Sequence, residues 1–218
     1  MIHERGELVY DAPSHRTEML DFLPDDYSRI LEIGCYDGTF RQYLNKPCEY
    51  WGVEPLKEVA DIAKTKMDKV LVDFYDRVAN EIPDNYFDLI VVNDVIEHIE
   101  NPWAFLQSIK KKMTANASIV LSIPNVRYYS NLKELLYLKD WEYKDAGILD
   151  ITHLRFFTEK SIVRLLNECG FKIEKMEGIN PIKTVISNFR FPVVYWLFKL
   201  FIGSDIKYLQ FGVRAMLK

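Results

Sequence analysis

Leu31-Glu32-Ile33-Gly34-Cys35-Tyr36-Asp37-Gly38-Thr39-Phe40 is the stretch on which the fold turns. The apolar run Arg29-Ile30-Leu31-Glu32-Ile33 stops at Gly34, and residues 38–45 read as helical. A glycine turn between a strand and a helix lets the backbone approach a ligand and aims helix N–H groups at it. Glu54 closes the next strand, Tyr50-Trp51-Gly52-Val53-Glu54, which Pro55 ends. A carboxylate at that edge can accept two hydrogen bonds from a ribose diol. Turn and carboxylate together indicate a nucleoside-containing cofactor; the competing reading is an ordinary strand–turn–helix with a solvated glutamate. The dinucleotide fingerprint G-x-G-x-x-G, started at Gly34, meets Tyr36 and Thr39 where it needs glycine, which argues against a pyrophosphate cradle. Glu32 beside the turn would repel a pyrophosphate and suits a cationic amino group.

Outward from this stretch, strands and helices alternate. A short helix is expected over 13–23 with Ser14 as its cap, and another from Pro55 to about Lys66. Strands are expected at Val70–Val72, Phe87–Asn93 and 117–123, and a helix over 101–112 whose last turn, Lys110-Lys111-Lys112, reads as a solvated face suited to the helix dipole. Short buried strands alternating with helices predict an α/β fold, a mostly parallel sheet with helices on both faces. After Pro124 the rhythm changes: a helix over 131–139, an irregular polar and aromatic segment from Asp140 to Phe157, and a helix capped by Thr158 and ended by Gly170. Strands at Phe171–Glu177 and Tyr208–Leu217 follow.

The 218 residues are read as one domain, 1–218, with a cofactor-binding half, 1–125, and an acceptor-recognition half, 126–218. The chain is 49% hydrophobic and 28% charged, ordinary for a globular domain, and its net charge of −4 supplies no field to attract nucleic acid. Cys35, Cys48 and Cys169 form no paired motif, so neither a zinc site nor a disulfide framework is expected. With no apolar leader-like run and no stretch long enough to span a bilayer, a cytoplasmic location is expected.

Four motifs in order resemble the class I S-adenosylmethionine-dependent methyltransferases. Glu32-Ile33-Gly34-Cys35-Tyr36-Asp37-Gly38 resembles their first motif, with Tyr36 in place of the middle glycine. Gly52-Val53-Glu54-Pro55 resembles the second, Val72-Asp73-Phe74 the adenine position, and Phe87-Asp88-Leu89-Ile90-Val91-Val92-Asn93-Asp94-Val95-Ile96-Glu97-His98 the fourth-strand motif. The resemblance implies a Rossmann-like seven-stranded sheet with an antiparallel C-terminal strand, S-adenosyl-L-methionine as cofactor and S-adenosyl-L-homocysteine as product. It implies that Gly34 and Gly38 shape the loop under the methionine part and that Glu32 meets the amino group. Glu54, beside Pro55, would bind the ribose, and Asp73 the adenine amino group with Phe74 against the ring. Asn93, Asp94 and Val95 would lie near the methionine moiety, with Tyr36 lining that end.

The segment after the fifth strand leaves from the edge where open α/β sheets bind ligands. Ile123-Pro124-Asn125-Val126-Arg127-Tyr128-Tyr129 and Asp150-Ile151-Thr152-His153-Leu154-Arg155-Phe156-Phe157-Thr158 resemble a subgroup associated with polysaccharide and sugar methylation. That implies a hydroxyl, or less readily an amine, on a sugar, nucleotide-sugar or glycan intermediate as acceptor. His153 is a candidate base, with Asp150 to orient it, and His98 a second; each also reads as a structural histidine. Arg127 and Arg155 are candidate anion clamps and Tyr128 a stacking face, readings matched by internal ion pairing and core packing. Glu97 beside His98 is too little to predict a metal site, and none is expected. Rival readings are a lipophilic, quinone-like acceptor, a nicotinamide oxidoreductase and a catalytically silent binding module. Residues 190–202 are expected to form an almost uniformly apolar helix, which must be buried over the sheet, paired in a homodimer, laid against a membrane surface or set as a lid over the acceptor.

Overall fold

The computed structural model describes residues 15–182, 200–201 and 203–218. Seven strands form one sheet: β1 Arg29–Ile33, β2 Glu49–Val53, β3 Lys69–Leu71, β4 Phe87–Asn93, β5 Met113–Pro124, β6 Phe171–Pro181 and β7 Tyr208–Leu217. Their order is β3-β2-β1-β4-β5-β7-β6. Neighbours from β3 through β5 pair in parallel, and β7 runs antiparallel to both β5 and β6. The mostly parallel sheet and antiparallel final strand are those expected from the sequence.

The period-2 alternation of the strands divides the core in two. Leu31, Ile33, Ile90, Val92, Ile119 and Leu121 pack on one face with α2 (Tyr75–Val78), α3 (Pro102–Lys112) and α5 (Glu159–Glu168), through Tyr75, Val78, Phe105, Leu106, Ile109, Ile162 and Leu165. Ile30, Leu89, Val91 and Val120 pack on the other, under Met19 and Phe22 of the 3-10 turn Thr17–Phe22, Phe40 of the turn Thr39–Tyr43, and Ala63 of α1 (Lys57–Ala63). Asn101 caps α3 by accepting from Ala104 N at 3.0 Å, with Pro102 in the first turn. Thr158 caps α5 in a reciprocal box with Ser161.

Several local expectations are corrected. The helix over 38–45 is only the 3-10 turn at Thr39–Tyr43, because left-handed Gly38 opens it and extended Leu44 closes it. The helix expected over 131–139 is α4 (Tyr129–Lys133) followed by a π-turn at Glu134–Leu138, ended by Lys139 in the left-handed region. The lysine run is a solvated face only in part: Lys111 is exposed, but Lys112 is buried and donates to the Ile82 carbonyl at 2.8 Å and to Asp84 at 2.5 Å, while Lys110 donates to the Cys169 carbonyl. Ser14 and nearly all of 190–202 lie outside the described residues; Leu200 and Phe201 are exposed. Among the described residues no helix is long and apolar enough to cross a membrane.

Candidate active site

The loops that leave the carboxyl ends of β1, β2 and β4 surround a cavity of about 800 Å³. That is the place where an open α/β sheet binds ligands, and a volume at the upper end for small-molecule sites.

At one end lies the glycine turn. Gly34 has φ +74°, and a Cβ there would stand 2.5 Å from Val95 Cγ2. Only a glycine leaves room for the turn and Val95 together, and both line the cavity. Tyr36 takes φ +47° where the resembling motif has glycine, and it also lines the cavity. A left-handed non-glycine residue costs about 1–2 kcal/mol, strain of the kind stored at functional sites. Its N–H donates to Glu54 Oε2 at 3.0 Å, and Leu56 N donates to Oε1 at 2.9 Å. Two backbone bonds therefore fix a carboxylate that is 1% exposed, while its remaining lone pairs stay available. Pro55 follows on the wall. Gly38 is not on the wall: with φ +75° it caps the next turn, against Ala63.

Glu32 lies beneath the same end, 3% exposed, and accepts from the Tyr50 hydroxyl at 2.9 Å. Burial pushes its carboxyl up to about 8, more than the tyrosine bond can offset. Asn93 lines the cavity, and neither its amide nitrogen nor its oxygen has a partner among the described residues. A buried amide left bare is costly, and a ligand in the cavity would satisfy it. Asp94, at φ +51°, accepts from Ser122 at 2.9 Å and Gln210 at 2.5 Å and is paired with Arg16. Phe74 lines the cavity. Asp73 stands just outside, bonded to Phe74 N at 2.7 Å and to Arg77 at 3.2 Å.

The other end holds two imidazoles. His98 and His153 meet edge to face with centroids 4.7 Å apart, and both line the cavity with buried Glu97. His153 Nδ1 lies 3.0 Å from the Ile148 carbonyl. His98 Nδ1 lies 3.1 Å from the Thr152 hydroxyl and 3.3 Å from its carbonyl. That hydroxyl donates onward to Asp150 Oδ1 at 2.6 Å. Each Nδ1 thus faces acceptors, which sets the proton there and leaves the lone pair on Nε2. Burial, reinforced by His153, lowers the His98 imidazole to about 4; burial also lowers His153.

The substrate segment corrects the sequence reading. Asp150 accepts from the His153 N–H on its carbonyl at 3.0 Å, but its carboxylate holds Thr152 through N–H and hydroxyl instead of the His153 ring, and so supports His98. Arg127 is no clamp here: its guanidinium forks onto Asp205, at 2.6 and 3.1 Å. Fully buried Asn125 donates to the Asp205 and Tyr208 carbonyls, so the Pro124–Arg127 stretch fastens the chain before β7. Tyr128 does not line the cavity and precedes α4. Arg155 donates to the Glu100 carbonyl outside it. Sequence reasoning missed Arg16, Asn180 and Gln210, which are joined around Asp94: Arg16 and Asn180 both donate to Gln210 Oε1 at 2.9 Å. Nothing local marks them, since they meet across 30 to 194 positions of sequence.

The seven-stranded fold is that of the S-adenosylmethionine-dependent methyltransferases. A family model described as a methyltransferase domain matches residues 4–176, and the chain belongs to that family. S-adenosylmethionine is the cofactor of the class. The chain is similar to an uncharacterised protein of Methanocaldococcus jannaschii, 29% identical over 66% of this chain and 64% of that one. It is also similar to the ubiquinone biosynthesis O-methyltransferase of Azorhizobium caulinodans, 24% identical over 69% of this chain and 61% of that one. The match thus spans less than two thirds of the length of both relatives. The solved structure of a SAM-dependent methyltransferase from Archaeoglobus fulgidus shares the fold, with a TM-score of 0.65, 19% identity, and coverage of 91% of this chain and 89% of that one.

Proposed function

We propose that the chain transfers a methyl group from S-adenosylmethionine to a hydroxyl oxygen of a ring-bearing small molecule. One observation carries this reading: a single cavity has cofactor-type polar groups at one end and a pair of neutral imidazoles at the other. S-adenosylmethionine supplies, when bound, a methyl group on a positively charged sulfur. Glu54, already held by two backbone N–H groups, accepts from the ribose hydroxyls. The Gly34 turn and Tyr36 carry the methionine part, Glu32 meets the amino group, and Asn93, Asp94 and Val95 flank that moiety. Phe74 covers the adenine, with Asp73 at its amino group and Pro55 beside it. His153 and His98 receive the acceptor hydroxyl on their free ring nitrogens, and the cavity positions the two reactants.

Ile99, Ile148, Leu154 and Leu209 add apolar surface to the cavity, which favours a phenolic or quinone-like ring. Similarity to a ubiquinone biosynthesis O-methyltransferase supports the same choice. A sugar hydroxyl is the second reading, favoured because Asp150, Thr152 and His153 of the sugar-associated stretch line the cavity. Residues 190–202 are read as a contact segment for a second copy or a membrane surface. Glu54→Ala should weaken S-adenosylmethionine binding by about 1–3 kcal/mol, the cost of leaving polar partners unpaired. Calorimetry checks it, and unchanged affinity refutes the ribose role. A methyl-transfer screen of phenols against nucleotide-sugars decides between the acceptors.

A further inference from the structure

Glu97, His98 and His153 each offer one ligand atom, and the three atoms lie within 4.8 Å of one another. Glu97 is 1% exposed, and both its carboxylate oxygens are buried with no hydrogen-bond partner among the described residues. A carboxylate stripped of water and left bare is among the costliest things a fold can bury, and an adjacent cation removes the cost. The imidazoles are prepared for the same guest. Each uses Nδ1 on a backbone carbonyl or a hydroxyl, the outer-shell arrangement that orients metal-bound histidines, and keeps the Nε2 lone pair free. The backbone locks the cluster as well: Leu154 N and Arg155 N donate to the Glu97 carbonyl at 2.8 and 3.0 Å, tying the His153 loop to the turn that carries Glu97 and His98.

We propose that Glu97, His98 and His153 bind one divalent transition-metal ion, of the Zn²⁺ and Co²⁺ type. Two imidazoles and a carboxylate form a catalytic-type donor set that leaves coordination positions open, and nitrogen donors disfavour Mg²⁺. Metal–ligand bonds of about 2.0–2.2 Å need donor atoms roughly 3.4 Å apart in a tetrahedron, so a pair at 4.8 Å closes by about 1.4 Å on loading. All three residues line the cavity, so the open position faces the acceptor end. The inference rests on the methyl-transfer reading for its role: the ion would hold the acceptor oxygen at the open position and lower its pKa, its proton would pass to solvent, and the oxygen–methyl bond would form as the sulfur–methyl bond breaks and S-adenosylhomocysteine leaves. The imidazoles then hold the ion instead of receiving the hydroxyl directly.

The test uses the full chain stripped with a chelator. Titration with Co²⁺, followed by its visible absorption and by calorimetry, should give one ion per chain, and Zn²⁺ should displace it. Glu97→Gln, which keeps the side-chain shape, and His153→Ala should each weaken Co²⁺ binding about tenfold or more. Absence of binding by the wild type, or unchanged binding in a folded variant of either kind, overturns the site; His153 sits on a loop, so its variant serves if Glu97→Gln does not fold. S-adenosylmethionine binding by the stripped wild-type chain is measured in parallel. If it persists while Co²⁺ does not bind, only the metal site fails; if it is absent, the methyl-transfer reading fails.

Discussion

Glu32 is a carboxyl that the fold keeps protonated near neutral pH. Its unfolded value is near 4.5 and burial raises it to about 8. The folded state therefore holds a proton that the unfolded chain releases, so this group's penalty is absent below about pH 4.5 and grows as pH rises toward 8. A cationic amino group placed beside Glu32 reverses the preference and drives the proton off. S-adenosylmethionine binding at pH 7 should thus release up to about one proton, read by calorimetry in buffers of different ionisation enthalpy. Glu32→Gln should abolish that release; a release unchanged in the variant would remove Glu32 from the cofactor's amino end. Gly34 is the other residue on which the site depends. Gly34→Ala introduces both a left-handed alanine and the clash with Val95, and should cost about 1–3 kcal/mol in thermal unfolding as well as cofactor affinity. Adding Val95→Ala should recover only part, since the backbone strain stays.

At the scale of elements, what the sequence displays is what local physics dictates. Thr158 before an amphipathic run and Gly170 after it mark α5 because capping and the left-handed turn act within a few residues. Thr158→Ala should lower stability by about 1 kcal/mol in thermal or denaturant unfolding and leave cofactor affinity unchanged. Glu54 and the Gly34 turn were legible for the same reason, each standing at a strand end. At the Pro124–Arg127 stretch the sequence left ligand binding and internal pairing open, because its partners are not local. Asn125 and Arg127 have the chemistry of ligand binders, and only the fold discloses that Asp205 and Tyr208 have already taken them. Lys112 hid its buried pairing likewise: three lysines in a row look like a solvent face until Ile82 and Asp84 close over one of them.

At the scale of the whole molecule, the first described turn, Thr17–Phe22, is fastened to the last strand. Phe22 is 1% exposed and its ring fills the space over Gly212 of β7, where a Cβ would stand 2.4 Å from Cζ. Phe22→Ala should cost about 3–5 kcal/mol in denaturant unfolding. Because Arg16 on the same segment is paired with Asp94, the loss should also weaken cofactor binding. This part of the site was illegible in sequence: no spacing rule joins Arg16, Asp94, Asn180 and Gln210, and burial alone gathers them.

The place of β7 between β5 and β6 also sets a timetable for synthesis. As residues emerge in order, β1 to β5 can pair as they appear, but β6 has no strand to join until β7 has been made and slides in beside it. Gln210 and Leu209 reach the cavity only with that strand. A ribosome-bound chain can therefore assemble the glycine turn and Glu54 well before the pocket has its far wall, and the last insertion event separates a partial binder from a finished enzyme.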